Sequence, residues 1–309
     1  MSLQNAIAGI VQIAGGVLLS PAIVGLIQHT KARMQGRPGP SIRQPYRELA
    51  RLWGKSTVTP QPHTVIYLLA PAVSAASALM ALALLPTAGH ALDLGLGHDA
   101  LVLVGLLALG RFALALAAWD TGSGFSLMGA GRELMFSAFV EGLLLLVLLL
   151  LALPLGSTDL VSMSHAASLS WVSLRPAHWA AALAFGLLIL AETGRRPLDN
   201  PDTHLELTMV HEGPLLEYAG RDLAYLQWAA AARHWIVLVL GCELVIPHPG
   251  PFVAQLAVLA GGLVTLSLAL AACETMQAKM RVLRVPLLLG FGSALCVLGL
   301  ASWFAGGAG

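Results

Sequence analysis

The stretch Glu192–Asp222, ETGRRPLDNPDTHLELTMVHEGPLLEYAGRD, decides how the chain is arranged, because it interrupts two strongly apolar regions. It carries the acids Glu192, Asp199, Asp202, Glu206, Glu212, Glu217 and Asp222, the bases Arg195, Arg196, His204, His211 and Arg221, and three prolines. In a protein that is only 11% charged, such a gathering has two readings. A charge run ordinarily faces water as a solvated loop. Beside a membrane, the same groups can form a proton-handling surface.

The 309 residues are 57% hydrophobic, with a mean hydropathy of +0.78, which excludes a soluble globular protein. About 20 apolar residues cross a hydrocarbon core of about 30 Å as a helix. Eight runs meet or approach that length: about 6–27, 65–86, 100–119, 134–155, 177–193, 228–247, 252–273 and 285–305. The sixth either takes in Arg233 and His234 or is unusually short. The expected fold is therefore all-α, a polytopic membrane protein of about eight transmembrane helices forming one membrane domain over 1–309. An amphipathic loop is expected at 28–64 and a charged coupling loop at 192–234.

Assigned to loops, the basic residues are one-sided. Lys31, Arg33, Arg37, Arg43, Arg47, Arg51 and Lys55 follow the first span, Arg132 the third, Arg195, Arg196, Arg221 and Arg233 the fifth, and Lys279, Arg281 and Arg284 the seventh. Only Arg175 falls on the other side, and Arg111 lies within a span. The positive-inside rule then puts these loops in the cytoplasm and both termini outside. The opening MSLQNAIAGIVQIAGGVLLSP lacks a basic n-region and reads as a first span rather than a signal peptide.

In the first loop, GRPGP at Gly36–Pro40 is a turn segment. After it, Tyr46, Leu49, Leu52 and Trp53 recur at helical spacing among Arg43, Arg47, Arg51 and Lys55, which predicts a short amphipathic helix in the interface. It serves either as a lipid anchor or as a docking surface for a soluble partner with acidic patches.

The apolar runs hold a few charges. Arg111 sits deep in the third span, where an unpaired arginine costs at least about 2.5–3.5 kcal/mol, so it is expected to find an acidic partner. Glu133, Ser137 and Glu141 step inward on one helix face at i, i+4 and i+8. Glu243 lies toward the outer end of the sixth span, Glu274 at the end of the seventh and Glu192 at the end of the fifth. Carboxylates at several depths are what a proton pathway requires, and each could equally be a structural partner of an arginine such as Arg111 or Arg132.

Other chemistries fail their spacing tests. The glycines from Gly122 to Gly131 match neither phosphate-loop nor dinucleotide patterns. Cys242, Cys273 and Cys296 are far apart, without the spacing of an iron–sulfur or zinc site. His204 and His211 share no HExxH motif, so no metal site is expected. No internal repeat of the kind found in transporters is visible.

Several of these segments together resemble a known family. AETGRRPLDNP followed by LEL and LEYAGRD, ARMQGRPGPSIRQPYRELARLWGK in the first loop, DTGS from Asp120, GAGRE ending at Glu133, FVEGLLLL around Glu141 and ETMQAKMR from Glu274 are similar to segments of the respiratory complex I subunit 1 family. That family includes the membrane subunits of formate hydrogenlyase, hydrogenase-4 and other energy-converting hydrogenases, and the first loop and DTGS look closest to that hydrogenase branch.

The resemblance implies a subunit at the junction of a hydrophilic electron-transfer arm and antiporter-like membrane subunits, in a bacterial or archaeal cytoplasmic (inner) membrane. Glu141, Glu192, Glu206 and Glu217 match acidic positions of a charged axis along the membrane, to which Glu133, Glu212, Glu243, Glu274 and Arg111 are added as expected members. Arg195, Pro197 and Asp199 match the loop of that axis. Arg33, Gln35, Arg37, Gln44 and Trp53 fall in the loop that meets the soluble arm or borders a quinone cavity. No redox centre is implied in this chain. A nickel-iron centre and iron–sulfur clusters are implied in hydrogenase-like large and small partner subunits, and quinone is the ligand of a second reading, a quinone-reducing complex. A stand-alone ion transporter and a passive membrane anchor are two further readings, and no nucleic-acid partner is expected.

Overall fold

The computed structural model describes residues 3–61, 63–88, 98–195, 211–248, 250–278, 280 and 284–306. They form eleven helices: α1 (Leu3–Met34), α2 (Gln44–Trp53), α3 (Val65–Leu84), α4 (Ala100–Asp120), α5 (Gly124–Ala152), α6 (Leu160–Ala167), α7 (Ser170–Ser173), α8 (Pro176–Glu192), α9 (Gly220–Val245), α10 (Phe252–Met276) and α11 (Val285–Gly306), with a 3-10 turn at Gly213–Leu215. No strand occurs among the described residues. Seven helices, α1, α3, α4, α5, α9, α10 and α11, are long and apolar enough to cross a membrane, and the eighth expected span, α8, is 17 residues. Every expected span is thus a helix.

Two boundaries differ from the sequence reading, for the same reason. Helix α1 continues through QHTKARM to Met34, because no breaker occurs before Gly36, and α9 begins at Gly220, so Arg221 and Arg233 stand on a helix rather than in the 192–234 loop. The sixth span therefore includes Arg233 and His234. Bases in the last turn of α1, Lys31 and Arg33, suit the negative end of its dipole.

Side chains close the ends of the helices. Thr64, Asp99 and Asp159 cap α3, α4 and α6 by accepting backbone N–H groups. Asp120, at the far end of α4, accepts the N–H of Thr64 at 2.7 Å and of Tyr67 at 3.2 Å, so the end of one span fixes the beginning of its neighbour. The same pair of helices approaches closely where Ser74 donates to the carbonyl of Gly110 at 3.0 Å, as small residues at membrane helix contacts allow.

Two internal prolines show how the bundle is assembled around its backbone. Pro21 in α1 and Pro71 in α3 each lack an N–H, which leaves the carbonyls of Val17 and Tyr67 without their i+4 donors. In a membrane such an orphan carbonyl must find another donor. Trp228 Nε1 donates to Val17 O at 3.2 Å, and the Tyr218 hydroxyl donates to Tyr67 O at 2.9 Å. Both donors come from α9 or the segment leading into it.

The core runs through the centre of the bundle, with Leu103, Leu143, Leu144, Phe185, Ile236 and Leu240 almost fully buried against one another. On α9 the five residues Ile236–Leu240 form an apolar layer that separates the basic end of the bundle, where Arg233 lies, from the opposite end, where Glu243 lies. That separation is about 15 Å along the helix, at 1.5 Å per residue.

Candidate functional site

The basic end of the bundle holds a set of paired charges. Arg111, nine residues inside α4 from Asp120 and so about 14 Å along the helix, is 5% exposed. Its guanidinium donates to Glu192 Oε1 and lies 3.5 Å from Glu141 Oε1. Because Arg111 is in the middle of its span, its partner Glu192 at the C-terminus of α8 also lies deep within the bundle. That explains why α8 is short: the helix stops inside the bundle, and the non-helical residues 193–195 that follow it are buried among the other helices. Such backbone is tolerated at membrane depth only where protein surrounds it.

The rest of the set lies near this centre. Glu133, two turns before Glu141 on the same face of α5, meets His211 with Nδ1 at 2.6 Å from Oε2. At that distance the imidazole holds the carboxylate directly. Arg233 lies within electrostatic range of Arg111, Glu192, Glu133 and Glu141. A second node forms where three helix ends meet: Glu274 of α10 accepts Lys31 Nζ of α1 at 3.1 Å and Arg195 NH1, just past α8, at 3.2 Å. Glu274 is fully buried, and two cations at its two oxygens offset the cost of desolvating it. His234 joins the nodes, lying within range of Arg195, His211 and Arg233.

Four carboxylates, Glu133, Glu141, Glu192 and Glu274, thus face four permanent cations, Lys31, Arg111, Arg195 and Arg233. With both histidines neutral, these eight described groups balance in charge. An arrangement of this kind can hold or pass a proton, because each carboxylate's charge is stabilised by a neighbour whose own position depends on the others.

Backbone contacts position these groups. The 3-10 turn of Gly213–Leu215 packs against α5 with the Cα atoms of Gly213 and Gly129 facing each other, so tightly that a Cβ at Gly129 would come within 2.7 Å of Gly213 Cα. This crossing holds His211 on Glu133. Behind the turn, Tyr218 stacks on Tyr67 with ring centroids 4.4 Å apart, and the Tyr67 hydroxyl donates to Glu217 O at 2.8 Å. Burial pushes the Tyr218 hydroxyl above the ordinary phenol range, so it stays a donor throughout physiological pH.

The expected residues divide into groups. Arg111, Glu133, Glu141, Glu192, Glu274 and Arg195 come together at the basic end. Glu212 is exposed and Glu217 half-buried on the surface of the charged segment. Glu243 stands apart at the opposite end, fully buried, accepting the Ala88 N–H and the Ser164 hydroxyl, each at 2.6 Å. Arg33, Arg37 and Trp53 are exposed; Arg37 donates to Gln35, and Gln44 donates to Glu48 at 3.1 Å. Glu206, Pro197, Asp199 and His204 lie outside the described residues. Among the described residues no cluster suited to a metal ion occurs.

Sequence reasoning did not single out Lys31, Arg233 and His234 as members of the set. The available signal was helical continuity: without a breaker between the apolar run and Lys31, or between Gly220 and Arg233, those side chains had to project from spans. An apolar groove of about 370 Å³ opens beside the basic end, where the amphipathic α2 meets α3 and α9; Leu49, Trp53, Ala76, Leu79, Tyr225 and Trp228 line it.

Comparison with known proteins supports these features as those of a family. Residues 7–301 match the NADH dehydrogenase family. The chain is 33% identical over 297 residues to hydrogenase-4 component C of Escherichia coli K12, covering 94% of this chain and 93% of that one. It is 29% identical to formate hydrogenlyase subunit 4 of the same organism, with 74% of each chain covered. To NADH-ubiquinone oxidoreductase chain 1 of Paracentrotus lividus it is 30% identical, covering 77% of this chain and 74% of the other. A solved chain of the membrane-bound sulfane sulfur reductase, an archaeal respiratory membrane complex, shares the fold at a TM-score of 0.82 and 19% identity, over 97% of this chain and 100% of the other. A bundle of apolar helices with its charges paired at one end, matched over nearly its whole length, belongs to the NADH dehydrogenase subunit 1 family, and the chain is a complex I-like membrane subunit of an oxidoreductase complex.

Proposed function

We propose that this chain is the membrane subunit of a complex I-like, energy-converting hydrogenase of the formate hydrogenlyase and hydrogenase-4 type. It docks the hydrophilic electron-transfer arm at its cytoplasmic loops and couples the redox reaction there to translocation of protons or cations. The chain itself bears no redox centre; the nickel-iron centre and iron–sulfur clusters belong to the large and small partner subunits, and antiporter-like subunits adjoin it in the inner membrane. The supporting observation is the continuity of charge from surface to interior. Exposed Arg33 and Arg37 border the helix end that carries Lys31, and from Lys31 the pairs run through Glu274 and Arg195 toward His234, Arg233, Glu133 and Arg111. They end at Glu141, whose side chain is 23% exposed within an apolar helix, the more accessible of the two carboxylates paired to Arg111.

Coupling by this route is electrostatic. A charge or shape change in the docked arm displaces the loops, the nearest ion pair repartitions, and the balanced set passes the imbalance inward. Moving one charge across 100 mV costs about 2.3 kcal/mol, a scale that rearrangement of one buried ion pair matches. The test is Glu141→Gln in the native complex reconstituted in vesicles. Redox turnover continues while the coupled ion gradient falls by at least about tenfold, as expected for loss of a required proton-transfer group. A normal gradient from an intact variant complex removes Glu141 from the route.

The apolar groove favours a second reading, a quinone-reducing complex, since its lining suits an isoprenoid chain entering from the bilayer beside Trp53. Under that reading, Trp53→Ala and Leu79→Trp raise the KM for quinone without altering reduction of a water-soluble acceptor. A stand-alone transporter is less well supported, because hydrogenase-4 component C and formate hydrogenlyase subunit 4 are by name parts of larger complexes.

A further inference from the structure

Of the 17 lysines and arginines, Arg175 alone lies at the end of the bundle opposite the paired charges, and the coupling route makes no use of it. It precedes Pro176 at the start of α8 and is half-buried. Its guanidinium carbon is 4.3 Å from the ring centroid of Trp303, on α11, and 5.7 Å from that of Trp171, on α7. The Trp303 contact follows from the antiparallel packing of α8 and α11. A Cβ at Gly299 would come within 3.2 Å of Ala180 Cβ, and one turn further along each helix Trp303 reaches the start of α8.

A cation beside aromatic faces is attracted to their quadrupoles. That attraction takes up none of the five N–H donors of a guanidinium. Among the described residues no acceptor receives a hydrogen bond from Arg175 and no carboxylate stands within ion-pair distance of it. The carboxylates described at this end are engaged elsewhere: Asp99 and Asp159 cap α4 and α6, and Glu243 is fully buried. Trp171, Trp179 and Trp303 all gather here, and tryptophans concentrate at the level of the lipid headgroups. Leu174 and Phe304, next in sequence to Arg175 and Trp303, are exposed apolar side chains.

We propose that Arg175, Trp171 and Trp303 form a binding site for the phosphodiester of an anionic phospholipid in the leaflet at this end of the bundle. Its acyl chains lie along the exposed apolar side chains of α8 and α11, such as Leu183 and Leu298. The occupant follows from charge and geometry. A guanidinium presents paired N–H groups that match two phosphate oxygens. The indoles hold a long side chain in place, which reduces the ordering cost of binding. With no carboxylate nearby to receive an ammonium, a headgroup of net negative charge is preferred to a zwitterionic one. The site stands apart from the proposed coupling route and does not depend on it.

The test uses the native complex with its partner subunits in proteoliposomes that contain a trace of phosphatidylglycerol with a photoreactive diazirine in its headgroup, and maps cross-linked peptides by mass spectrometry. Labelling of 171–179 and 299–306, referred to labelling of α3 in the same sample, falls about tenfold in Arg175→Gln, as loss of one charge-assisted contact gives. Arg175→Lys, which keeps the charge without the paired N–H groups, retains part of it. Trp303→Leu, which keeps the charge and removes the nearer ring, lowers labelling too and serves where Arg175→Gln fails to assemble. The same diazirine on phosphatidylcholine labels these segments no more than it labels α3. Unchanged phosphatidylglycerol labelling in the assembled variants overturns the site. Equal labelling of the parent by the choline lipid overturns it as well, because the charge of the headgroup then decides nothing. A parent without labelling, in which a neighbouring subunit cross-links at Trp303 instead, assigns the arginine to a protein partner and overturns the lipid.

Discussion

Glu141 and Glu243 are each a lone carboxylate in a leucine- and valine-rich helix, yet the bundle treats them in opposite ways. Glu141 stands 3.5 Å from a guanidinium that it shares with Glu192, and part of its side chain reaches the surface. Glu243 is fully buried, and among its contacts are a backbone N–H and a hydroxyl that it accepts. The first belongs to a connected set of charges, in which its protonation alters every neighbour. The second is a pin: it ties the turn at Ala88 and helix α6 to α9, and the apolar residues Ile236–Leu240 part it from the other carboxylates. A buried glutamate is therefore informative only through its partners: Glu141 shares a cation with a second carboxylate, whereas Glu243 ties together backbone and helix ends at the opposite side of the bundle.

This contrast breaks most readily at Arg111. Arg111→Leu leaves Glu192 and Glu141 without their shared cation, and removing one partner from a buried pair costs about 3–5 kcal/mol. Thermal unfolding of the detergent-solubilised complex should show that loss, and a variant as stable as the parent would mean that the two glutamates are already neutral. Next in size is Glu243→Gln, which replaces one acceptor oxygen by a donor against Ala88 N–H or Ser164 Oγ and is expected to cost about 1–3 kcal/mol. Coupled transport should persist in that variant. Its abolition at full assembly would erase the distinction between the two carboxylates. The smallest effect is expected at Tyr218→Phe, which removes the donor to the carbonyl freed by Pro71, at about 1 kcal/mol. Since Tyr218 stays protonated well above the ordinary phenol range, that difference between parent and variant should be the same at pH 6 and pH 9.

Much of the fold was legible along the chain because hydrocarbon-spanning helices must be long, apolar and internally hydrogen-bonded. All eight apolar runs appear as helices, seven of them long and apolar enough to cross a membrane, as does the amphipathic helix at Gln44–Trp53. The need of Arg111 for an acidic partner also followed from the cost of burying it alone, and two of the expected acids, Glu141 and Glu192, supply it. The second node was not legible. Lys31, Arg195 and Glu274 are distant in sequence, and nothing local shows that three helix ends converge. Nor was it legible that Glu192 and residues 193–195 end up inside the bundle and that Gly213 crosses α5 at Gly129, since those follow from the depth of Arg111 and the close approach of two glycines.

What the sequence by itself determined is thus the order of the apolar helices and the one-sided distribution of basic residues, because each is fixed by transfer of local segments between water and lipid. Tertiary structure alone decided which charges meet. Pairing depends on where helix ends come to rest, and here those positions are set by Trp228 and Tyr218 reaching carbonyls that prolines left open, and by two glycines that let backbones touch. Through those contacts Glu192–Asp222, readable as a solvated loop or as a proton-handling surface, places Glu192, Arg195 and His211 among the buried charges. Glu243, expected among them, lies instead at the opposite end of the bundle, where it accepts from the Ala88 N–H and the Ser164 hydroxyl.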